Sequence, residues 1–372
     1  MTPRRLIFSV LFLPWLAAAQ QPDIALTLPP VLHAVEGVPL RLFHDNLVLT
    51  KTPAAYRFEF DCAVGSAEDR AWLIDASDDQ IGNHPLRVTV RDSNGKALAS
   101  AATRLQIARR DSGKNREVRL LIVGDSLTHA SKYPNEMARL LATPGNPDVT
   151  FLGSHQPASA KPNVFHEGYG GWTWAAFLTR WNPQAAAPAA GPVKRATSPF
   201  LFADGDSDPV LDLPRYFREN CDGQPPDVVT FLLGINDCFS VKPDDPEAID
   251  ARITEVLGNA DRLLSEFHRA APRAALAVGL TTPPNARESG FEANYKGRYH
   301  RWGWKRIQHR LVQRMIGHFA DREEENIHLV ATELVVDPID GYPENNGVHP
   351  NATGYAQVGA AFFSWIKAWC GG

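Results

Sequence analysis

What this chain has little of narrows it first. Cysteine is scarce: Cys62, Cys221, Cys238 and Cys370 are the four in 372 residues, widely spaced and without a C-x-x-C, so the common zinc-site spacings are excluded. The even count permits two disulfides in an oxidising compartment, and free buried thiols fit equally well. Cys221 and Cys238 flank an expected strand at opposite ends, which would strain a direct bridge between them. There is no excess of positive charge, with 38 Lys and Arg against 42 Asp and Glu and a net charge of -4. That removes the electrostatic footprint of a nucleic-acid partner. No internal repeat is found. His166-Glu167 is not followed by the second histidine of H-E-x-x-H, which excludes a zincin. Gly168 to Thr173 is not a dinucleotide fingerprint, because Thr173 occupies the third glycine position. No G-x-S-x-G occurs, since Thr128 stands where the second glycine would be. No cofactor or metal is expected. Neither an amphipathic lid nor a membrane-surface helix is evident.

What is present is an ordinary globular composition, 44% hydrophobic and 22% charged, with enough apolar residues for a sizeable core. The N-terminus reads as an export signal over residues 1–19. Arg4 and Arg5 precede an apolar run from Leu6 to Leu16, then Ala17, Ala18 and Ala19 supply a small-residue cleavage site. The apolar run is short for a membrane span. The expectation is a secreted or periplasmic protein with no stable membrane insertion once the signal is removed; an uncleaved anchor is the alternative.

Residues 22–112 read as all-β. Tyr56 to Phe60, Leu86 to Arg91 and Thr103 to Ile107 alternate polar and apolar residues, and Asp92-Ser93-Asn94-Gly95 is a hairpin-turn signal. Short strands at near-regular spacing suggest an immunoglobulin-like β-sandwich, read as an accessory platform. A polar stretch follows over 108–117. From 117 to 372 the pattern becomes α/β: strand-like runs at 118–123, 149–152, 228–233, 274–280 and 327–330 alternate with helical ones, including one expected from Leu127 to Leu140. That alternation predicts a parallel sheet with helices on both faces. Ligands of such sheets lie outside the carboxyl ends of the strands. The segment 182–209, rich in Pro, Ala, Gly and Ser, is expected to be a surface loop.

Four stretches carry chemistry, and each falls after an expected strand. Leu120 to Val123 is a buried strand that ends in Gly124-Asp125-Ser126, placing Ser126 at a helix N-terminus as a nucleophile or as a cap. His166-Glu167-Gly168-Tyr169-Gly170-Gly171-Trp172-Thr173 is a glycine-rich loop whose backbone N–H groups could approach a substrate oxygen. Gly234-Ile235-Asn236-Asp237 sets an amide at a strand end, where it could donate to an oxyanion. Asn345-Asn346-Gly347-Val348-His349-Pro350 puts a histidine on a loop before the last helix, with Asn351 placed to cap that helix.

In this order, Ser126, Gly171, Asn236 and His349 resemble the four blocks of the SGNH, or GDSL, hydrolase superfamily. The resemblance covers about 118 to 370 and says nothing of the β segment. It implies a three-layer, flavodoxin-like parallel-sheet fold. It implies that Ser126 attacks an ester carbonyl with His349 as base, and that the N–H groups of Ser126 and Gly171 and the amide of Asn236 form the oxyanion hole. One departure stands out. The family usually has an aspartate three residues before the histidine, where this chain has Asn346. Orientation of His349 by Asn346, by Asp340 or Asp337 of the preceding loop, by a backbone carbonyl, or by nothing in a Ser-His dyad are the alternatives; Asn346 or a dyad is favoured and Asp340 is the main challenger. Export, an accessory β segment and a rim of Trp172, Trp174 and Trp181 suit an O-acetylated carbohydrate as the ester substrate. Lipase, carboxylesterase or thioesterase activity, or an inactive glycan-binding protein, are the rivals.

Overall fold

The structure, a computed structural model, describes residues 24–182 and 196–372. The expected export signal lies outside the described residues.

The described residues open with seven strands in two sheets. They are β1 (Val31–Val35), β2 (Leu40–Phe43), β3 (Arg57–Asp61), β4 (Ser66–Ala67), β5 (Ala71–Ile74), β6 (Gly82–Arg91) and β7 (Ala97–Ala108), with a single helical turn, α1 (His44–Leu47), after β2. One sheet has the order β1-β7-β6-β3 and the other β2-β5-β4. β1 runs parallel to β7, and the other pairings are antiparallel. The period-2 pattern that identified these strands is the pattern of burial: Leu86, Val88 and Val90 of β6 point into the core while Arg87 between them is exposed. The expected hairpin turn joins β6 to β7, with Asp92 Oδ1 accepting from the Asn94 and Lys96 N–H groups at 2.9 Å each.

The second half is an all-parallel sheet. Its strands are β8 (Glu117–Gly124), β9 (Asp148–Leu152), the two-residue β10 (Glu167–Gly168), β13 (Val228–Leu232), β14 (Ala275–Gly279) and β15 (Ile327–Val330); a small antiparallel pair, β11 (Leu201–Phe202) and β12 (Val210–Leu211), lies outside it. β9 and β10 share one edge of β8, and the order continues β8-β13-β14-β15. Counted along the chain this is 2-1-3-4-5, with the reversal of strand order between β8 and β13. A reversal of that kind opens a crevice at the carboxyl ends of the two strands. The apolar runs of β13 and β14 are buried throughout, as strands covered on both faces must be.

The helices are α2 (Ser126–His129), α3 (Lys132–Leu141), α4 (Trp174–Thr179), α5 (Leu213–Asn220), α6 (Ile235–Cys238), α7 (Pro246–Ala270), α8 (Glu288–Tyr295), α9 (Arg301–Phe319) and α10 (Ala352–Gly371). α3 packs on α10, and α7 packs on α4 and α9. Phe267 of α7 meets Phe231 of β13, whereas Phe362 of α10 lies over Gly279 on the opposite face of the sheet. α10 also touches β1 and β7. Wedged between two sheets, it is buried on most sides, which explains its apolar sequence all round. A single apolar core therefore runs from the β segment through α10 into the parallel sheet.

Two expectations need correction. The run from Leu127 to Leu140 is not one helix: it breaks after α2, where Ser131 takes a left-handed conformation with φ 57°. The hydroxyl of Ser131 donates to His129 O at 3.2 Å and meets His166 Nε2 at 3.0 Å, tying the break to the glycine-rich segment. The segment 182–209 is not wholly irregular, since β11 falls inside it and pairs with β12; residues 183–195 lie outside the described residues. All four cysteines are free thiols. Burial pushes Cys221 and Cys238 up to about 12, so neither is a reactive thiolate.

Candidate active site

Ser126 stands on the first residue of α2, immediately beyond the carboxyl end of β8. The helix cap is Asp125, whose Oδ1 accepts from Leu127 N at 2.9 Å. The serine hydroxyl is thus not consumed in capping. Close approach of α2 to the sheet depends on glycines. A Cβ on Gly124 would overlap the hydroxyl of Thr128 and come within 3.0 Å of Leu232 O, and one on Gly168 would overlap the Thr128 side chain. Thr128 in turn bonds Tyr133 at 2.7 Å inside the core.

His349 arrives from the segment between β15 and α10. Its Nε2 lies 2.9 Å from Ser126 Oγ, and its Nδ1 lies 3.2 Å from Asn346 Oδ1. Asn346 Oδ1 also accepts from Val348 N at 3.1 Å and His349 N at 2.9 Å. Those two backbone donors fix which end of the amide faces the ring: the oxygen does. His349 Nδ1 must then carry the proton, leaving Nε2 as the acceptor for the serine hydroxyl. Burial, and next to it the charge of Lys132, holds the His349 imidazole below its ordinary value, so the ring is neutral and basic at neutral pH. Asp337 and Asp340 do not face His349. Both carboxylates turn away to Arg70, Asp337 through two bonds of 3.0 and 2.8 Å and Asp340 through one of 2.9 Å.

Asn236 follows β13, across the strand-order reversal from Ser126. Gly234, with φ 123°, makes the turn that starts α6 and brings Asn236 to the crevice. Its Nδ2 donates to Trp172 O at 3.0 Å and, more weakly, to Asp125 Oδ2 at 3.3 Å. One amide thus links the ends of β8 and β13 and the glycine-rich loop. That loop is a tight turn from Tyr169 to Trp172, closed by Trp172 N donating to Tyr169 O at 3.2 Å. Gly171 holds its third position with φ 77°, a left-handed conformation that favours glycine. A Cβ there would meet nothing within 4 Å, so the turn faces open space. Tyr169 N donates to Gly124 O at 3.1 Å and moors the turn to the end of β8. Asp125 is buried, and burial pushes its carboxyl up to about 7 against the opposing Leu127 N–H bond. Burial likewise pushes Asp237 up to about 7; one of its oxygens accepts from Trp174 N at 3.2 Å.

Ser126, Asn346, His349 and Asn236 thus come together, with the Gly171 turn moored beside them. Trp172 and Trp174 do not form a rim. They are 0% and 1% exposed and pack on Phe177 and Phe231 respectively, so they belong to the core, while Trp181 is half-buried. Supporting residues went unrecognised in the sequence. Glu167, fully buried beneath the turn, accepts from Tyr216 and Tyr169 hydroxyls and from Ser154 N at 2.6 Å. His166 accepts from Gly168 N at 3.1 Å, and burial, followed by the charges of His155 and His129, lowers it to about 3. Their only sequence signal is adjacency to the glycine-rich loop.

Residues 122–357 match the model of the GDSL-like lipase/acylhydrolase family. The chain belongs to that family. It is therefore a hydrolase of the GDSL, or SGNH, type, acting on esters, and its parallel-sheet half has that fold. Among solved structures it is similar to a Clostridium thermocellum family 3 carbohydrate esterase, at 18% identity over 69% of this chain and 100% of that one, with a TM-score of 0.41. It is also similar to a putative arylesterase from Agrobacterium tumefaciens, at 19% identity over 68% and 99%, with a TM-score of 0.40. A carbohydrate acetylesterase family member from Sinorhizobium meliloti matches at 16% identity over 68% and 99%, with a TM-score of 0.39. No curated protein matches the sequence.

Proposed function

We propose that this protein is an exported serine esterase that removes O-acetyl groups from carbohydrate. The observation that carries the chemistry is the relay from Ser126 Oγ to His349 Nε2 at 2.9 Å, and from His349 Nδ1 to Asn346 Oδ1. Ser126 attacks the ester carbonyl while His349 takes its proton. The oxyanion is received by the N–H groups of Ser126 and Gly171 and by Asn236 Nδ2, which exchanges its longer bond, to Asp125, for the substrate oxygen. His349 returns the proton to the leaving alcohol. Water, deprotonated by the same histidine, then releases the acid from the acyl-serine.

Behind Ser126 the core is closely packed: the space walled by Asp125, Leu127, Leu232, Leu233, Ile235, Thr281 and Thr282 does not admit a single water. The choice of acetyl over longer acyl groups is decided by the comparison of esters below. Export is supported by Arg4, Arg5 and the apolar run after them. Among the described residues no helix is long and apolar enough to cross a membrane. For residues 22–112 we infer an immunoglobulin-like sandwich, supported by seven strands divided as 1-7-6-3 and 2-5-4. We take residues 117–372 as the hydrolase unit.

The test is hydrolysis of a chromogenic acetate by the wild type and by Ser126→Ala, followed by acetate release from acetylated polysaccharide set against fatty-acid release from long-chain esters. Activity that vanishes in Ser126→Ala and favours the acetylated polysaccharide is expected. Equal rates from wild type and variant would indicate a glycan-binding protein instead, and a preference for long chains would indicate a lipase.

A further inference from the structure

We propose that the β segment takes part in catalysis by bracing the segment that carries the base, with Arg70 and Asn46 as positioning residues for His349. This rests on the reading of His349 as general base. Residues 331–351, between β15 and α10, form no regular helix or strand, yet Thr332, Glu333, Leu334, Val335 and Val336 are at most 1% exposed. Buried backbone groups outside helices and sheets need other partners. Here those partners come from the far end of the chain. Asn46 Nδ2 lies 2.9 Å from both Glu333 O and Val336 O, and Phe43 N donates to Leu334 O at 3.0 Å.

Arg70 clamps the next turn. Its guanidinium grips Asp337 with two bonds and Asp340 with a third, a geometry that a planar fork provides and an ammonium does not. The Asp337 carboxylate in turn accepts from Ile339 N at 2.8 Å and Asp340 N at 3.1 Å. The turn then hands its order on to the residues beside the base. Asp340 O accepts from Asn351 Nδ2 at 2.8 Å, and Gly341 O accepts from Asn351 N at 2.9 Å. Asn351 is two residues beyond His349 and caps α10. An unbroken path of hydrogen bonds and backbone therefore runs from Arg70, through residues 337–341, to Asn351, two residues from His349. A small displacement of a reacting group can cost about a hundredfold in rate, so loosening this path should be visible in turnover.

The experiment compares Arg70→Met and Arg70→Lys with wild type by three measurements: kcat and KM for a chromogenic acetate, hydrogen exchange of residues 337–351, and melting temperature. In Arg70→Met the exchange of 337–351 is expected to accelerate while that of β8 and β13 stays protected. kcat falls about ten- to a hundredfold with KM little changed. Arg70→Lys recovers part of the loss in both readouts. Unchanged exchange overturns the proposal, and so does faster exchange with kcat within about twofold of wild type. If Arg70→Met does not fold, Arg70→Lys decides on the same two criteria. Hydrogen exchange needs no turnover. A wild type inactive on esters therefore counts against the proposed function, while the exchange result still reports on the brace.

Discussion

Replacing Asn346 by aspartate would put a charge behind His349 with little rearrangement. The side-chain oxygen already accepts three bonds, from Val348 N, His349 N and His349 Nδ1, and among the described residues no bond donated by Nδ2 is seen. A carboxylate would therefore keep the orienting bonds and add its charge. Two unit charges about 4 Å apart attract by about 1 kcal/mol in bulk water and by about 4 kcal/mol at an effective dielectric of 20. Asn346 is half-buried, which places the gain toward the lower figure, about tenfold in rate at 1.36 kcal/mol per factor of ten. In a serine protease the reverse change costs roughly 10⁴, because the histidine takes the wrong tautomer. Here two backbone N–H groups already fix the amide, so only the missing charge is restored. The sign for pH follows. A carboxylate favours imidazolium and raises the His349 pKa, so the acid limb of kcat/KM should move to higher pH in Asn346→Asp while the plateau rises. The assay is the pH profile of kcat/KM on a chromogenic acetate for wild type, Asn346→Asp and Asn346→Ala. Asn346→Ala should lose about tenfold or more, since it unties the ring and leaves two buried donors unsatisfied. An unmoved acid limb in Asn346→Asp would refute the assignment. So would a nearly silent Asn346→Ala beside an inactive Asp340→Ala.

Two further outcomes follow from the same site. Asn236→Ala should lower kcat by on the order of 10²–10³ with a much smaller change in KM, because the amide is asked to serve the oxyanion rather than the ground state; single-substrate kinetics on the acetate ester would check it, and an unchanged kcat removes Asn236 from the mechanism. Lys132→Met should shift the acid limb of kcat/KM to higher pH, since the lysine charge helps hold the His349 imidazole down; a limb that stays in place shows that burial alone sets it.

The positions that meet at the crevice were legible because each is a short-range signal: an apolar run, a turn, and a polar residue at the strand end. Ser126 after β8 and Asn236 after β13 needed only their own neighbours to be placed, and the order of the four blocks did the rest. Features set by distant contacts were not legible. The left-handed break at Ser131 depends on His166, 35 residues away. Trp174 looks like part of a sugar platform beside a glycine-rich loop, but the ring it packs on, Phe231, belongs to the distant strand β13. Asp340 was a fair rival to Asn346 on spacing, and only the guanidinium of Arg70, 270 residues away along the chain, shows where its carboxylate is directed. The polar stretch at 108–117 separates the β segment from the α/β segment in the sequence. Nothing in its composition revealed that α10 would seat itself between them.

The bond between Ser126 and His349 joins positions 223 residues apart, and His349 and α10 follow every other part of the site along the chain. A nascent chain folded as far as β15 has Ser126, the Gly171 turn and Asn236, but neither His349 nor the wedge between its sheets. Pairings this distant in sequence form slowly, and domains generally emerge N-terminal first. On the proposed mechanism, hydrolysis therefore begins only after His349 and α10 have left the ribosome and docked. On that mechanism, a chain that terminates before His349 carries the serine without its base.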